Sequence, residues 1–331
     1  MKSLIRFCFL FVLALGHATV TAQDFQALVD RAHAKFKDDQ SGANANYIPI
    51  LDEVPSELFG VVITLRDGTT YVAGDVDYIF SIQSVAKPFT MALVMEEQGL
   101  DAVKQKIGVE PTGMPFNSVI AIELHEQRSI NPLVNAGAIA AVSMLEASGE
   151  RQRWNKVHRG LEAFAGENLK VLKDVYKSEA ETNYRNRAIA NLLYNYDRLY
   201  SDPMEATVVY TRQGTLGVSA RILAMMGATL ANDGINPRTG VRVIRKDYVD
   251  EVLAVMLMAG FYDEVGKWAF RAGLPAKTGV GGGIVAVAPG DYAIAAFSPR
   301  VNEAGNSVRA MKAIQYISEQ LEASLFIDQG E

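Results

Sequence analysis

Phe80-Ser81-Ile82-Gln83-Ser84-Val85-Ala86-Lys87-Pro88-Phe89 holds the only Ser-x-x-Lys pair in the chain. Read as a helix start, it sets Ser84 and Lys87 one turn apart on one face. Pro88 supports that placement. It has no N–H and is tolerated only where the helix begins, about at Ser84. A nucleophile there would sit at the positive end of the helix dipole. Alone the motif is common, since roughly one such pair is expected per chain of this size. A surface serine beside a solvated lysine is the plainer reading until the rest of the chain is considered.

The flanks read as a hairpin and a helix. Phe59 to Leu65 is a β-branched strand, Arg66-Asp67-Gly68 a turn and Thr69 to Ala73 a second strand, while the spacing from Ser84 to Leu100 is helical. Before them, Phe25 to Phe36 is an amphipathic helix and residues 39–46 a polar loop that delivers Tyr47. A helix beginning at Asn131-Pro132 and rich in alanine is expected to end at Ser148-Gly149, and Glu150 to Leu230 reads as wholly helical. Lys246 to Met258 is another helix. Gly279 to Ala288 and Tyr292 to Ser298 are strands, and Val308 to Ala323 a closing helix. Strands thus lie at both ends. The fold class is α+β: one antiparallel sheet assembled from the two ends of the chain, flanked by helices, with a central all-helical lobe. The sheet-bearing part covers about 23–84 and 270–331, the helical part about 85–269. G-x-G-x-x-G and P-loop patterns are absent.

Composition narrows the class. The 331 residues are 49% hydrophobic and carry a net charge of −6, with no basic run, which argues against a nucleic-acid partner. Lys2 and Arg6 precede an apolar run from Phe7 to Leu15, and Val20-Thr21-Ala22 closes it with small or modest side chains. Residues 1–22 are read as a secretory signal peptide cleaved after Ala22, too short to span a bilayer. Removing it takes the net charge to −8 and removes Cys8, the one cysteine. Disulfides, a thiol nucleophile and a cysteine metal site are then excluded from residues 23–331. The histidines show no metal-ligand spacing, so no metal is expected. The expected location is the periplasm, with no membrane association after leader removal.

A second marker is Lys277-Thr278-Gly279-Val280-Gly281-Gly282-Gly283, in which four of the five residues from Gly279 are glycine. Glycines in a strand are found where another backbone or a ligand comes close. Ser-x-x-Lys early and Lys-Thr-Gly late together resemble the penicillin-recognising serine hydrolases. Those enzymes use the serine as nucleophile, the lysine as base and the residue after Lys-Thr-Gly as an oxyanion donor.

Further blocks are similar to a different family with that β-lactamase/transpeptidase-like architecture, the serine-dependent glutaminases. They are Ser81 to Lys87, Asn131 to Ile139, Ser178-Glu179 with Asn183 to Arg187, and Tyr210 to Gln213. Gly260 to Asp263, Pro275 to Ile284 and Glu303 to Ser307 complete the series. The resemblance runs in family order from about Tyr47 to Arg309. It implies Ser84 as nucleophile, Lys87 as base, and Tyr47 and Tyr262 as active-site tyrosines, with Tyr262 the proton relay. It implies that Asn135, Glu179, Asn186 and Tyr210 hold the amino acid, and that Val280 and Ser84 supply oxyanion N–H groups. The physical chemistry agrees: a glutamine ammonium needs a carboxylate, and its carboxylate needs donors. Lys277 is read as a second cation that helps to depress the Lys87 amine.

The chain departs from the family at Gly214-Thr215, where Cys-Ser is usual, at Thr278 for serine, and at Val265 for a small polar residue. The implied activity is hydrolysis of L-glutamine without a cofactor, in a homo-oligomer, dimer or tetramer. A β-lactamase or D,D-peptidase and a non-catalytic amino-acid-binding module are the alternatives.

Overall fold

The computed structural model describes residues 22–327, so residues 1–21 of the expected leader lie outside the described residues. The eight strands among them are β1 (Gly60–Leu65), β2 (Thr70–Gly74), β3 (Phe80–Ser81), β4 (Lys170–Val171), β5 (Leu216–Val218), β6 (Ala276–Thr278), β7 (Gly283–Ala288) and β8 (Tyr292–Phe297). Five form an antiparallel sheet in the order β2-β1-β8-β7-β6. The two ends of the chain meet at its centre, where β1 pairs with β8 from Gly60↔Phe297 to Leu65↔Tyr292.

Both faces of this sheet are covered, and the period of two sorts the side chains. Val61 and Ile63 of β1, Ile284 and Ala286 of β7, and Ile294 and Ala296 of β8 share one core with Leu28, Val29, Ile314 and Ile317 from the Ala22–Phe36 and Val308–Gln320 helices. Val62, Val285, Val287, Ala295 and Phe297 point the other way, into the larger core built by the middle of the chain. The Ala220–Ala231 helix lies on that second face. Gly227 allows the close approach, because a Cβ there would meet Ala293 Cβ and Val285 Cγ2 at 2.7 Å.

The block between Glu150 and Leu230 is not wholly helical. Its helices Glu150–Ala165, Lys173–Thr182, Tyr184–Asn195 and Pro203–Gly214 are interrupted by β4 and β5, which join β3 in a second sheet ordered β3-β5-β4. Strands of two and three residues leave too short a pattern to register against the surrounding helical periodicity. The alanine-rich helix starts at Asn135, not Asn131, and ends at Met144. Asn131 is instead spent on the preceding turn: its Oδ1 accepts from Leu133 N and its Nδ2 donates to the Glu110 carbonyl. Short helices Leu100–Lys106 and Val119–Leu124 also occupy stretches that had no helical reading.

Candidate active site

β3 delivers the chain to Gln83, which adopts a left-handed φ of 51°. Such a backbone is uncommon for a residue other than glycine, and it turns the chain sharply at the end of the strand. Ser84 follows inside a 3-10 turn, Gln83–Ala86, and the α-helix proper runs from Lys87 to Gln98. The helix therefore starts three residues later than Ser84. Pro88 sits in its first turn, where its missing N–H costs nothing. A 3-10 turn eclipses residues three apart, so Ser84 and Lys87 still share a face.

Ser84, Lys87, Tyr47, Asn135, Glu179, Asn186, Tyr210 and Val280 line one cleft, together with Ile48, Gln83, Phe116, Gln213 and Gly214. Lys87 is 2% exposed, and burial brings its amine down to about 7. Its Nζ donates to Asn135 Oδ1 at 2.7 Å, and Tyr210 donates to the same oxygen at 3.0 Å. Asn135 Nδ2 in turn donates to Asn186 Oδ1 at 2.9 Å. No hydrogen bond joins Lys87 Nζ to Ser84 Oγ among the described residues. The Ser84 hydroxyl lies beside the Tyr262 phenol instead.

Glu179 enters from the Lys173–Thr182 helix and accepts from Gln83 Nε2 at 2.5 Å. Burial of its carboxyl raises it to about 7, against the lowering effect of that hydrogen bond. It is poised to become a carboxylate when a cation arrives. Tyr47, 54% exposed, stands at the mouth.

Tyr262 and Lys277 lie behind the cleft lining. Tyr262 is 3% exposed and has a φ of 54°; its hydroxyl donates to the Thr278 carbonyl at 3.3 Å. Burial holds its phenol protonated, only partly offset by the Ser84 hydroxyl beside it. Lys277 Nζ lies 4.1 Å from the centroid of the Tyr262 ring and donates to the Gly260 and Thr278 carbonyls. Burial, then repulsion from Lys87, brings the Lys277 amine well below its ordinary value.

The β6–β7 turn explains the glycine run. A Cβ on Gly279 would lie 2.9 Å from Val85 Cγ2, and one on Gly281 would lie 2.4 Å from the Ser81 carbonyl oxygen. Gly282 has a φ of 98°. The turn therefore seats its backbone against the segment that carries Ser84. The amide N–H groups of Ser84 and Val280 donate to no acceptor among the described residues, which leaves two donors free beside the Ser84 hydroxyl.

The family model named Glutaminase matches residues 42–326. The chain belongs to the glutaminase family. It is 52% identical over 301 residues to the glutaminase of Colwellia psychrerythraea, covering 91% of this chain and 97% of that protein. It superposes on a solved structure described as probable glutaminase ybaS with a TM-score of 0.92 and 48% identity, covering 94% of this chain and all of that one. A Bacillus subtilis glutaminase, YbgJ, matches at TM-score 0.81 and 29% identity over 92% of this chain and 99% of that one. The fold is accordingly the β-lactamase-like α+β fold of the glutaminases.

Gln83, Phe116 and Gln213 were not singled out from the sequence. Gln83 carries no signal beyond its place before Ser84, and Phe116 sits in a loop. Gln213 is buried on the Pro203–Gly214 helix, three residues beyond Tyr210, and accepts from Thr90 at 2.7 Å. The departure at Gly214 is spacious: a Cβ there would meet nothing nearer than Gln83 Cα at 3.8 Å.

Proposed function

We propose that this glutaminase hydrolyses L-glutamine to L-glutamate and ammonia through a γ-glutamyl ester on Ser84. The carrying observation is the shared cleft: a serine with two unpartnered amide N–H groups and a buried, near-neutral lysine faces a carboxyl group and three polar donors.

Ser84 Oγ attacks the side-chain amide carbon, and Lys87, in its neutral form, takes the hydroxyl proton. The oxyanion is held by the N–H groups of Ser84 and Val280, each worth about 2.7–4 kcal/mol in comparable acyl-transfer sites. The C–N bond breaks as a proton from Tyr262 or Lys87 reaches the leaving nitrogen. Tyr262 suits the acid role because its phenol stays protonated. Water then cleaves the ester, releases glutamate and restores the Ser84 hydroxyl.

Glu179 pairs with the α-ammonium, while Asn135, Asn186 and Tyr210 face the α-carboxylate. An amide lacking those groups would leave the polar partners unpaired, which selects for the amino acid. Support for the covalent step comes from the B. subtilis relative, whose solved form is a covalent complex with 5-oxo-L-norleucine, formed by reaction with 6-diazo-5-oxo-L-norleucine. No step calls for a cofactor.

The test is ammonia release from L-glutamine, L-asparagine and a chromogenic β-lactam, run beside Ser84→Ala. Turnover of L-glutamine that is lost in the variant is the expected result. Turnover of the lactam without glutamine would overturn the reading.

We further propose export to the periplasm and assembly as a homo-oligomer. The charged, apolar and small-residue order of residues 1–22 supports the first. The family resemblance supports the second. N-terminal sequencing of the secreted product, expected to begin at Gln23, and light scattering of the purified protein test them.

A further inference from the structure

Tyr262 is held in a backbone conformation that costs about 1–3 kcal/mol and so needs support from its surroundings. One support is plain: its ring packs on Phe116 with centroids 4.7 Å apart. The other is the loop between β8 and the last helix. A Cβ built on Gly305 of that loop would lie 3.3 Å from Val280 Cγ1 and 3.7 Å from Tyr262 Cε2. The loop thus backs both the proposed proton donor and the residue that supplies an oxyanion N–H.

Backbone pairing of Val301 with Ala43 and Ser307 holds the base of the loop, and a single carboxylate, two residues beyond Tyr262, ties its asparagines to the Tyr262 segment. Glu264 Oε2 accepts from Asn302 Nδ2 at 2.7 Å and from Asn306 Nδ2 at 2.8 Å. Asn302 closes the loop on itself, since its Oδ1 accepts from Ala304 N and Asn306 N. Asn306 is fully buried and its Oδ1 has no partner, so its side chain is anchored through Glu264 alone among the described residues. On the solvent side, Lys267 donates to Glu264 Oε1 at 2.9 Å. A residue otherwise free to be polar surface is therefore tied into the interior.

We infer that Glu264 is a positioning residue for the reaction: its carboxylate clamps the Asn302–Asn306 loop, and through Gly305 that loop holds Tyr262 and Val280 at the geometry the transition state needs. This rests on the proposed role of Tyr262. A clamp of this kind acts on kcat, because neither Glu264 nor the two asparagines lines the cleft that holds the amino acid.

The experiment compares wild type, Glu264→Ala, Glu264→Gln, Asn302→Asp and Tyr262→Phe in L-glutamine kinetics. Rates are expressed per competent site, counted by titration with 6-diazo-5-oxo-L-norleucine, so that partial misfolding does not enter. Glu264→Ala is expected to lower kcat about tenfold or more, with KM within about twofold, since a misplacement near 1 Å can cost about 10²-fold. Glu264→Gln recovers most of the loss, because its Oε1 can still accept from both asparagines. Asn302→Asp keeps the loop-closing Oδ1 but sets a second carboxylate against Glu264; it reproduces the kcat loss and serves if Glu264→Ala does not fold. Wild-type kcat in Glu264→Ala (or in Asn302→Asp, where Glu264→Ala does not fold), a loss confined to KM, or a Gln variant as impaired as Ala would overturn the inference. Impairment of Tyr262→Phe beside an unimpaired Glu264→Ala sinks the clamp alone. Wild-type kcat in Tyr262→Phe sinks the acid role of Tyr262 on which the clamp rests, and leaves that proton to Lys87.

Discussion

Replacing Lys87 with methionine should abolish turnover and yet stabilise the fold. The amine is 2% exposed, and burial takes it from 10.5 to about 7. Because the folded value is depressed, the unfolded chain binds the extra proton between these limits. The penalty is fully present below pH 7 and is relieved as pH rises from about 7 to 10.5. At pH 7 it amounts to about 4 kcal/mol, taking 1.36 kcal/mol per unit. Methionine loses the hydrogen bond to Asn135 Oδ1, worth about 1 kcal/mol, although Tyr210 continues to donate to that oxygen. The net gain is about 3 kcal/mol at pH 7, and it vanishes near pH 10, where the wild-type penalty has fallen to about 1 kcal/mol. Urea denaturation of both proteins across pH 7–10 measures the difference. A variant no more stable than wild type at pH 7, or an advantage that does not shrink with pH, would refute a buried amine held near neutrality.

Glu179 and Lys87 both titrate near 7, and the free enzyme needs the first charged and the second neutral. On the acid side kcat/KM should steepen towards a slope of two, while kcat keeps a slope of one because a bound ammonium fixes Glu179 as carboxylate; Glu179→Gln should return the kcat/KM slope to one. The same variant should lower kcat/KM for L-glutamine by about 10- to 150-fold, the equivalent of one charged hydrogen bond of about 1.5–3 kcal/mol. Gly281→Ala drives a Cβ to 2.4 Å from the Ser81 carbonyl oxygen, and should cost about 1–3 kcal/mol in denaturation together with most of kcat. Gly214→Ala meets only ordinary contacts and should leave kcat/KM within about twofold, a contrast that a loose β6–β7 turn would erase.

The long periodic elements were legible. Strands at the two ends of the chain read as parts of one antiparallel sheet, at whose centre β1 pairs with β8, and Pro88 limited where the Ser84 helix could start. The remainder depended on contacts far apart in sequence. β4 and β5 are too short to show a period of two beside helices. The Asn131 side chain satisfies a turn that its place before Pro132 made look like a helix start. The site residues came from ordered blocks, since Glu179 or Asn135 alone would pass for a solvated helix residue or an N-cap. Gln83 escaped notice because its left-handed backbone and its bond to Glu179, 96 residues away, leave no local mark. The partner of the Lys87 amine was also unreadable: Ser-x-x-Lys spacing points to Ser84, whereas the folded chain sets the amine against Asn135.

The γ-glutamyl ester on Ser84 is the intermediate on which the whole reaction turns. Acid quenching of the protein during turnover of L-glutamine, followed by peptide mass mapping, tests it most directly. One glutamyl group on the peptide containing Ser84, absent from Ser84→Ala together with ammonia release, is the predicted result. A glutamyl group on another residue, or turnover that persists in Ser84→Ala, would contradict it.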